Sequence, residues 1–146
     1  METVSVKVLR PGAKLPTYGT DFAAGADLYA CLEGPVTLAP GETALIPTGL
    51  AMAIPAGYAG LVYARSGISV KRGLAPANKV GVIDSDYRGE CTVALYNQSA
   101  VPQTVEPGER IAQLVVTACL RPAFAEAVAL DETVRGAGGF GSTGTK

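Results

Sequence analysis

Residues 36–63 read VTLAPGETALIPTGLAMAIPAGYAGLVY, and this stretch decides the fold class. Val36–Leu38, Ala44–Ile46, Leu50–Ile54 and Leu61–Tyr63 are short apolar or alternating runs, each cut off by Pro or Gly within a few residues. Runs of this length between such breaks read as strands. Pro40-Gly41 is a turn dipeptide followed by Glu42 and a new apolar run, and Pro107-Gly108-Glu109 repeats that chemistry far down the chain. On either side, Val4–Leu9, Val80–Ile83, Thr92–Tyr96 and Ile111–Thr117 carry the same signature. One short helix is predicted after Ser66, through Ile68 and Val70, kept brief by Gly67 and Gly73. The expected class is all-β, a sandwich, jelly roll or barrel, in preference to a βαβ sheet.

Composition narrows the chemistry. The chain has 146 residues, with 18 Gly and 10 Pro spread throughout, which leaves little room for long helices. At this size it can withdraw roughly 70% of its unfolded surface from water, enough for a core without covalent staples. Lys and Arg number 12 against 13 Asp and Glu, so there is no broad positive field, and nucleic acid is not an expected partner. There is no His. That removes Ser-His and Cys-His pairs, an imidazole base and most catalytic zinc sites, leaving a carboxylate, Lys, Tyr or thiolate as the base. Cys31, Cys91 and Cys119 are odd in number and far apart, with no C-x-x-C pair. They are expected to be buried small hydrophobes, neither a disulfide framework nor a zinc site. No apolar run has membrane-spanning length, so the expected compartment is the cytoplasm, with no membrane partner.

Four groups of residues stand out for chemistry. Gly136-Ala137-Gly138-Gly139-Phe140-Gly141 matches G-x-G-x-x-G, but no strand precedes it and no helix can follow in five residues, so the dinucleotide reading fails. What survives is a run of unhindered backbone amides, with Arg135, Ser142 and Thr143 adding a cation and hydroxyls, able to close on an anion. A frayed terminus is the competing reading. The expected organisation is therefore a β domain over residues 1–132 and a flexible arm over 133–146. Arg65-Ser66-Gly67 offers a guanidinium, a hydroxyl and an open amide at a helix start, which suits phosphate oxygens, although Ser66 as an ordinary cap explains the same letters. In Gly81-Val82-Ile83-Asp84-Ser85-Asp86-Tyr87-Arg88-Gly89-Glu90 an apolar strand delivers Asp84 to a turn beside an aromatic ring. A carboxylate there can take a proton from water; a plain β-turn is the alternative. Asp27 and Gln113 sit inside apolar runs and must find partners or face solvent.

Taken in order, AGADLYA (24–30), RSG (65–67), GVIDSDYRGE (81–90), GERIAQL (108–114) and RGAGGFGSTG (135–144) resemble the five motifs of the homotrimeric dUTP pyrophosphatases, or dUTPases. The resemblance runs from Ala24 to Gly144. It implies a jelly-roll-like β subunit with one short helix, a homotrimer with active sites between subunits, and hydrolysis of dUTP to dUMP and pyrophosphate with Mg2+. By the same resemblance, Asp84 activates the water that attacks the α-phosphorus, and Tyr87 packs beneath the deoxyribose where a 2′-OH would not fit. Asn78 contacts the uracil, with the backbone through Val82 and Ile83 reading its edge. Arg65, Ser66, Gly67 and Gln113 match phosphate-contacting positions, and Asp27 matches the acidic residue that reaches the metal through water. Arg135 and Ser142 would hold the distal phosphates while Phe140, followed by Gly141 in the substrate-binding set, stacks over the base. Ala64 stands where the family often has Pro. Magnesium prefers hard oxygens and retains waters, so the lack of His is no obstacle. Two other readings use the same scaffold: a dCTP deaminase, disfavoured because Val93-Ala94-Leu95 lacks the Glu-bearing strand motif, and a non-catalytic nucleotide-sensing module.

Overall fold

A computed structural model describes residues 3–140 of the chain. In chain order its elements are β1 (Ser5–Val8), β2 (Thr17–Tyr18), β3 (Ala26–Tyr29), β4 (Val36–Leu38), β5 (Thr43–Ala53) and β6 (Tyr58–Tyr63). There follow α1 (Ser66–Arg72), β7 (Leu74–Pro76), β8 (Gly81–Ile83), β9 (Glu90–Asn97), β10 (Gln103–Val105) and β11 (Arg110–Ala118). One sheet has the order β1-β5-β9-β7, a second β2-β3-β11-β6-β8, and β10 pairs with β4. All the pairings among the described residues are antiparallel. This is the expected all-β, jelly-roll-like architecture. No helix among the described residues is long and apolar enough to cross a membrane.

Period-2 burial builds the core. Along β9 the inward positions are Cys91, Val93, Leu95 and Asn97, which meet Leu28, Leu38, Ile46, Leu74, Val105 and Ile111 from the other strands. Removing each large aliphatic side chain from water stabilises the fold by roughly 1.5–3 kcal/mol. Asn97 is fully buried yet satisfied: its amide donates to the carbonyls of Leu38 and Val101, and its oxygen accepts from the Ser99 amide and hydroxyl.

β5 corrects one expectation. Ala44–Ile46 and Leu50–Ile54 read as separate strands, whereas the structure joins them, with a register shift against β9 between Pro47 and Ala51. The backbone groups freed at this bulge find side chains. The Gly49 amide donates to Glu90 Oε1 at 2.7 Å, and the Thr48 hydroxyl donates to the Cys91 carbonyl at 2.6 Å. Cys31 and Cys91 are buried as expected, but Cys119 is exposed, because it lies just past the last residue of β11. Burial pushes the Cys91 thiol up to about 11; the Thr48 hydroxyl lowers it and the neighbouring Glu90 charge raises it further.

The helix is α1, as predicted. It ends at Gly73, whose φ of 68° is the left-handed conformation that only glycine adopts without strain, and whose amide closes onto the Ser69 carbonyl. Ser66 is not the cap: Arg65 holds the cap position, with extended dihedrals and no side-chain capping bond.

Candidate active site

The candidate residues gather into two groups. The first surrounds β8, an edge strand whose outer row of backbone donors and acceptors faces away from β6. Asn78, Gly81, Val82, Ile83, Asp84, Tyr87 and Glu90 line one cavity of about 300 Å³ there. Asp84 follows β8 directly, and its carbonyl accepts from the Tyr87 amide at 3.1 Å, so the expected β-turn and the expected placement of the carboxylate are both present. Arg88 ties that turn down by donating to the carbonyls of Ser85 and Tyr87. The Asp84 side chain is exposed and enters none of the ion pairs among the described residues. Tyr87 is 47% exposed, and its hydroxyl donates to the Glu90 carbonyl at 3.1 Å.

The second group lies where β3, β11 and the start of α1 meet. Asp27 on β3 pairs with Gln113 on β11, and Gln113 in turn faces Tyr63 at the end of β6. Asp27 is only 8% exposed, and its two oxygens are divided between Arg65 Nε at 2.6 Å and Arg110 Nη1 at 3.2 Å. Gln113 donates to the Ala64 carbonyl at 2.9 Å, fixing the backbone just before Arg65. Ser66 and Gly67 are exposed, and the first helical bond is made by the Ser69 amide, so the amides of Ser66, Gly67 and Ile68 have no partner within the helix.

Three residues outside the expected set hold this group in place. Arg110 shares Asp27, and Arg72, in the last turn of α1, donates to Gln103, to the Glu109 carboxylate and to the Thr104 carbonyl. Glu109 also accepts from the Glu106 amide, closing the turn that leads into β11. Both ends of α1 are thereby tied to the β10–β11 side of the molecule. The only sequence signal for these residues was position: Glu109 and Arg110 stand in GERIAQL, and Arg72 just before Gly73.

The two groups do not meet within one chain. Because β8 runs antiparallel to β6, with Gly60 opposite Ile83, Asp84 leaves at the Gly60 end while Arg65 leaves beyond Tyr63. β6 runs three residues past Gly60, about 10 Å at 3.3 Å each, before Arg65 caps α1. The described part of the arm joins neither group: residues 133–140 contain no helix or strand, Arg135 Nε donates to the Gly138 carbonyl within the arm, and the Phe140 ring is fully exposed. Gly141 and Ser142 lie outside the described residues. No group of three or more His, Cys, Asp or Glu among the described residues could hold a metal ion by itself.

The class so defined is a jelly-roll-like β domain with a carboxylate-bearing cavity along the edge strand β8 and a guanidinium cluster where β3, β11 and α1 meet. A model of the dUTPase family matches residues 12–144. A protein of Desulfitobacterium hafniense (strain DSM 10664 / DCB-2), named deoxyuridine 5'-triphosphate nucleotidohydrolase, is 51% identical over 149 residues, covering 99% of each chain. One of the same name from Janthinobacterium sp. (strain Marseille) is 46% identical over 147 residues, again covering 99% of each. Among solved structures, the Staphylococcus bacteriophage 80alpha dUTPase with dUpNHpp superposes with a TM-score of 0.90 at 30% identity, over 99% of both chains. A point mutant of the dUTPase from phage phi11 of S. aureus, described as coordinating a structural Mg(II) ion, gives 0.79 at 27% identity over 88% of this chain and 98% of that one. The chain belongs to the dUTPase family.

Proposed function

We infer that this protein hydrolyses dUTP to dUMP and pyrophosphate. The observation that carries the reading is the cavity beside β8, where a ring-lined pocket, an edge strand and an uncommitted carboxylate stand together. A nucleobase can pair with the outer backbone row of β8 much as an added strand would, with Asn78 beside it. Tyr87 forms the floor under the sugar. An exposed carboxylate with no ion-pair partner keeps its lone pairs for a water, so Asp84 orients that water and accepts its proton as it attacks the α-phosphorus.

The second group suits the phosphates. With Nε committed to Asp27, the two terminal nitrogens of Arg65 form the outward edge of the guanidinium, a fork matched to phosphate oxygens. The Ser66 hydroxyl, the Gly67 amide and Gln113 add neutral donors. Magnesium is part of the proposal and fits on the donor set: the triphosphate and waters supply hard oxygens, so no protein cluster is needed, and Asp27, with both oxygens already engaged, touches the ion only through water. The chemistry it would supply there is positive charge against the charge that develops on the phosphate oxygens. This chain's residues hold and align the reactants.

The placement of Asp84 and Arg65 past opposite ends of the β6–β8 pair supports a homotrimer in which one subunit supplies the base side of a site and its neighbour the phosphate side. In that assembly the arm closes over a site, with Arg135 and Ser142 on the distal phosphates and Phe140 and Gly141 over the base. A cytoplasmic location belongs to the same reading, in keeping with three unpaired thiols. The test is to incubate the purified protein with dUTP, UTP, dTTP and dCTP and resolve the products. Pyrophosphate from dUTP alone is expected. Ammonia from dCTP would instead support the deaminase, and binding without turnover a sensing module.

A further inference from the structure

Tyr87 folds back over its own turn. Its ring lies so near Gly89 that a Cβ added there would stand 2.6 Å from Cζ and 2.9 Å from Cε2, and closer still to the hydroxyl oxygen. Non-bonded carbons rest at about 3.5–4.0 Å, so ring and methyl cannot share this space. The backbone is no obstacle, because Gly89 is not among the residues with positive φ. The three atoms nearest the added Cβ all belong to Tyr87. An alanine at this position would therefore displace the ring and leave the chain path alone.

The other support of the ring is fixed. Tyr87 hydrogen-bonds the Glu90 carbonyl, and the Glu90 side chain is held by the Gly49 amide at the β5 bulge and by the Arg10 guanidinium. The ring thus rests between the carbonyl of a residue that β9 holds opposite Ala51 and a Cα that carries no substituent. From that seat it forms one wall of the cavity shared with Asn78 and Asp84.

We propose that Gly89 is a specificity-determining residue: by carrying no side chain it sets the depth at which the Tyr87 ring lies, and through it the preference for deoxyribose over ribose. The inference rests on the reading of Tyr87 as the sugar contact. The experiment compares wild type, Gly89→Ala, Tyr87→Ala and the double variant, measuring kcat/KM for dUTP and for UTP together with Tm. Gly89→Ala is expected to keep the wild-type Tm and lower the dUTP-to-UTP ratio about tenfold or more, the scale on which fit to one small group discriminates. In the Tyr87→Ala background the same change should have no further effect on the ratio, as for two residues acting through one contact. An unchanged ratio in Gly89→Ala while Tyr87→Ala lowers it would overturn the proposal. So would an equal loss for both nucleotides, or a full effect persisting in the double variant. If Tyr87→Ala itself leaves the ratio unchanged, the sugar-contact reading falls and the proposal with it.

Discussion

Asp27 Oδ1 accepts from Arg65 Nε at 2.6 Å, which leaves the two terminal nitrogens of a side chain still 24% exposed outside that ion pair. Because the other oxygen accepts from Arg110, a single nearly buried carboxylate pairs with two cations on different elements, and the cluster keeps a net positive charge. In the proposed site this pairing would aim the phosphate contacts before any ligand arrives.

Asp27→Asn removes that charge and leaves two guanidiniums facing each other across an amide. Stripping one partner from a buried pair costs about 3–5 kcal/mol, but the Arg110 side chain is 52% exposed and water screens part of the charge. A loss of about 2 kcal/mol is expected in urea unfolding, with KM for dUTP rising more than kcat falls. A variant with wild-type stability and KM would show that the guanidiniums need no carboxylate to aim them.

Asp84→Asn keeps the shape and removes the base. Turnover of dUTP should drop by about 100- to 10,000-fold, the range for a general base, while affinity for a non-cleavable analogue stays near wild type. Weakened binding with turnover preserved would place Asp84 in recognition and take it out of the chemistry.

Deleting residues 135–146 removes Arg135 and Phe140 from a segment that contributes no strand or helix among its described residues. Thermal unfolding should be unchanged and kcat/KM for dUTP strongly reduced. A melted domain would show that the arm is structural.

Cys91 gives a pH signature. Its thiol holds its proton up to about 11 when folded, against an ordinary value of 9.0. Below 9 both states are protonated and the contribution is intact. Between 9 and 11 the unfolded chain loses the proton while the folded one keeps it, so stability falls as pH rises, by about 3 kcal/mol for two units. Denaturation at several pH values should show a shallower alkaline decline in Cys91→Ala than in wild type. Identical declines would mean that the thiol ionises equally in both states.

Local features were legible and long-range ones were not. The helix after Ser66 could be read because Gly73 stops it within two turns. The Pro and Gly of residues 47–49 read as a strand break, yet the chain passes through as a bulge, because Glu90, more than forty residues away, accepts from the freed Gly49 amide and the Thr48 hydroxyl donates to the Cys91 carbonyl. β7 and β10, three residues each, are too short to show a period, so pairing with β9 and β4 defines them. Within the site, Asp84 and Tyr87 could be read from adjacent letters. The tie of Asp27 to Arg65 and Arg110 spans 38 and 83 residues, and no local pattern carries it.

The antiparallel course of β6 and β8 puts Asp84 and Arg65 past opposite ends of the strand pair, so each can be altered without touching the other. In the proposed trimer, a chain crippled at Asp84 and another crippled at Arg65 would each lend its neighbour what it lacks. Two inactive preparations, unfolded and reassembled together, would then regain a share of working centres that neither holds alone.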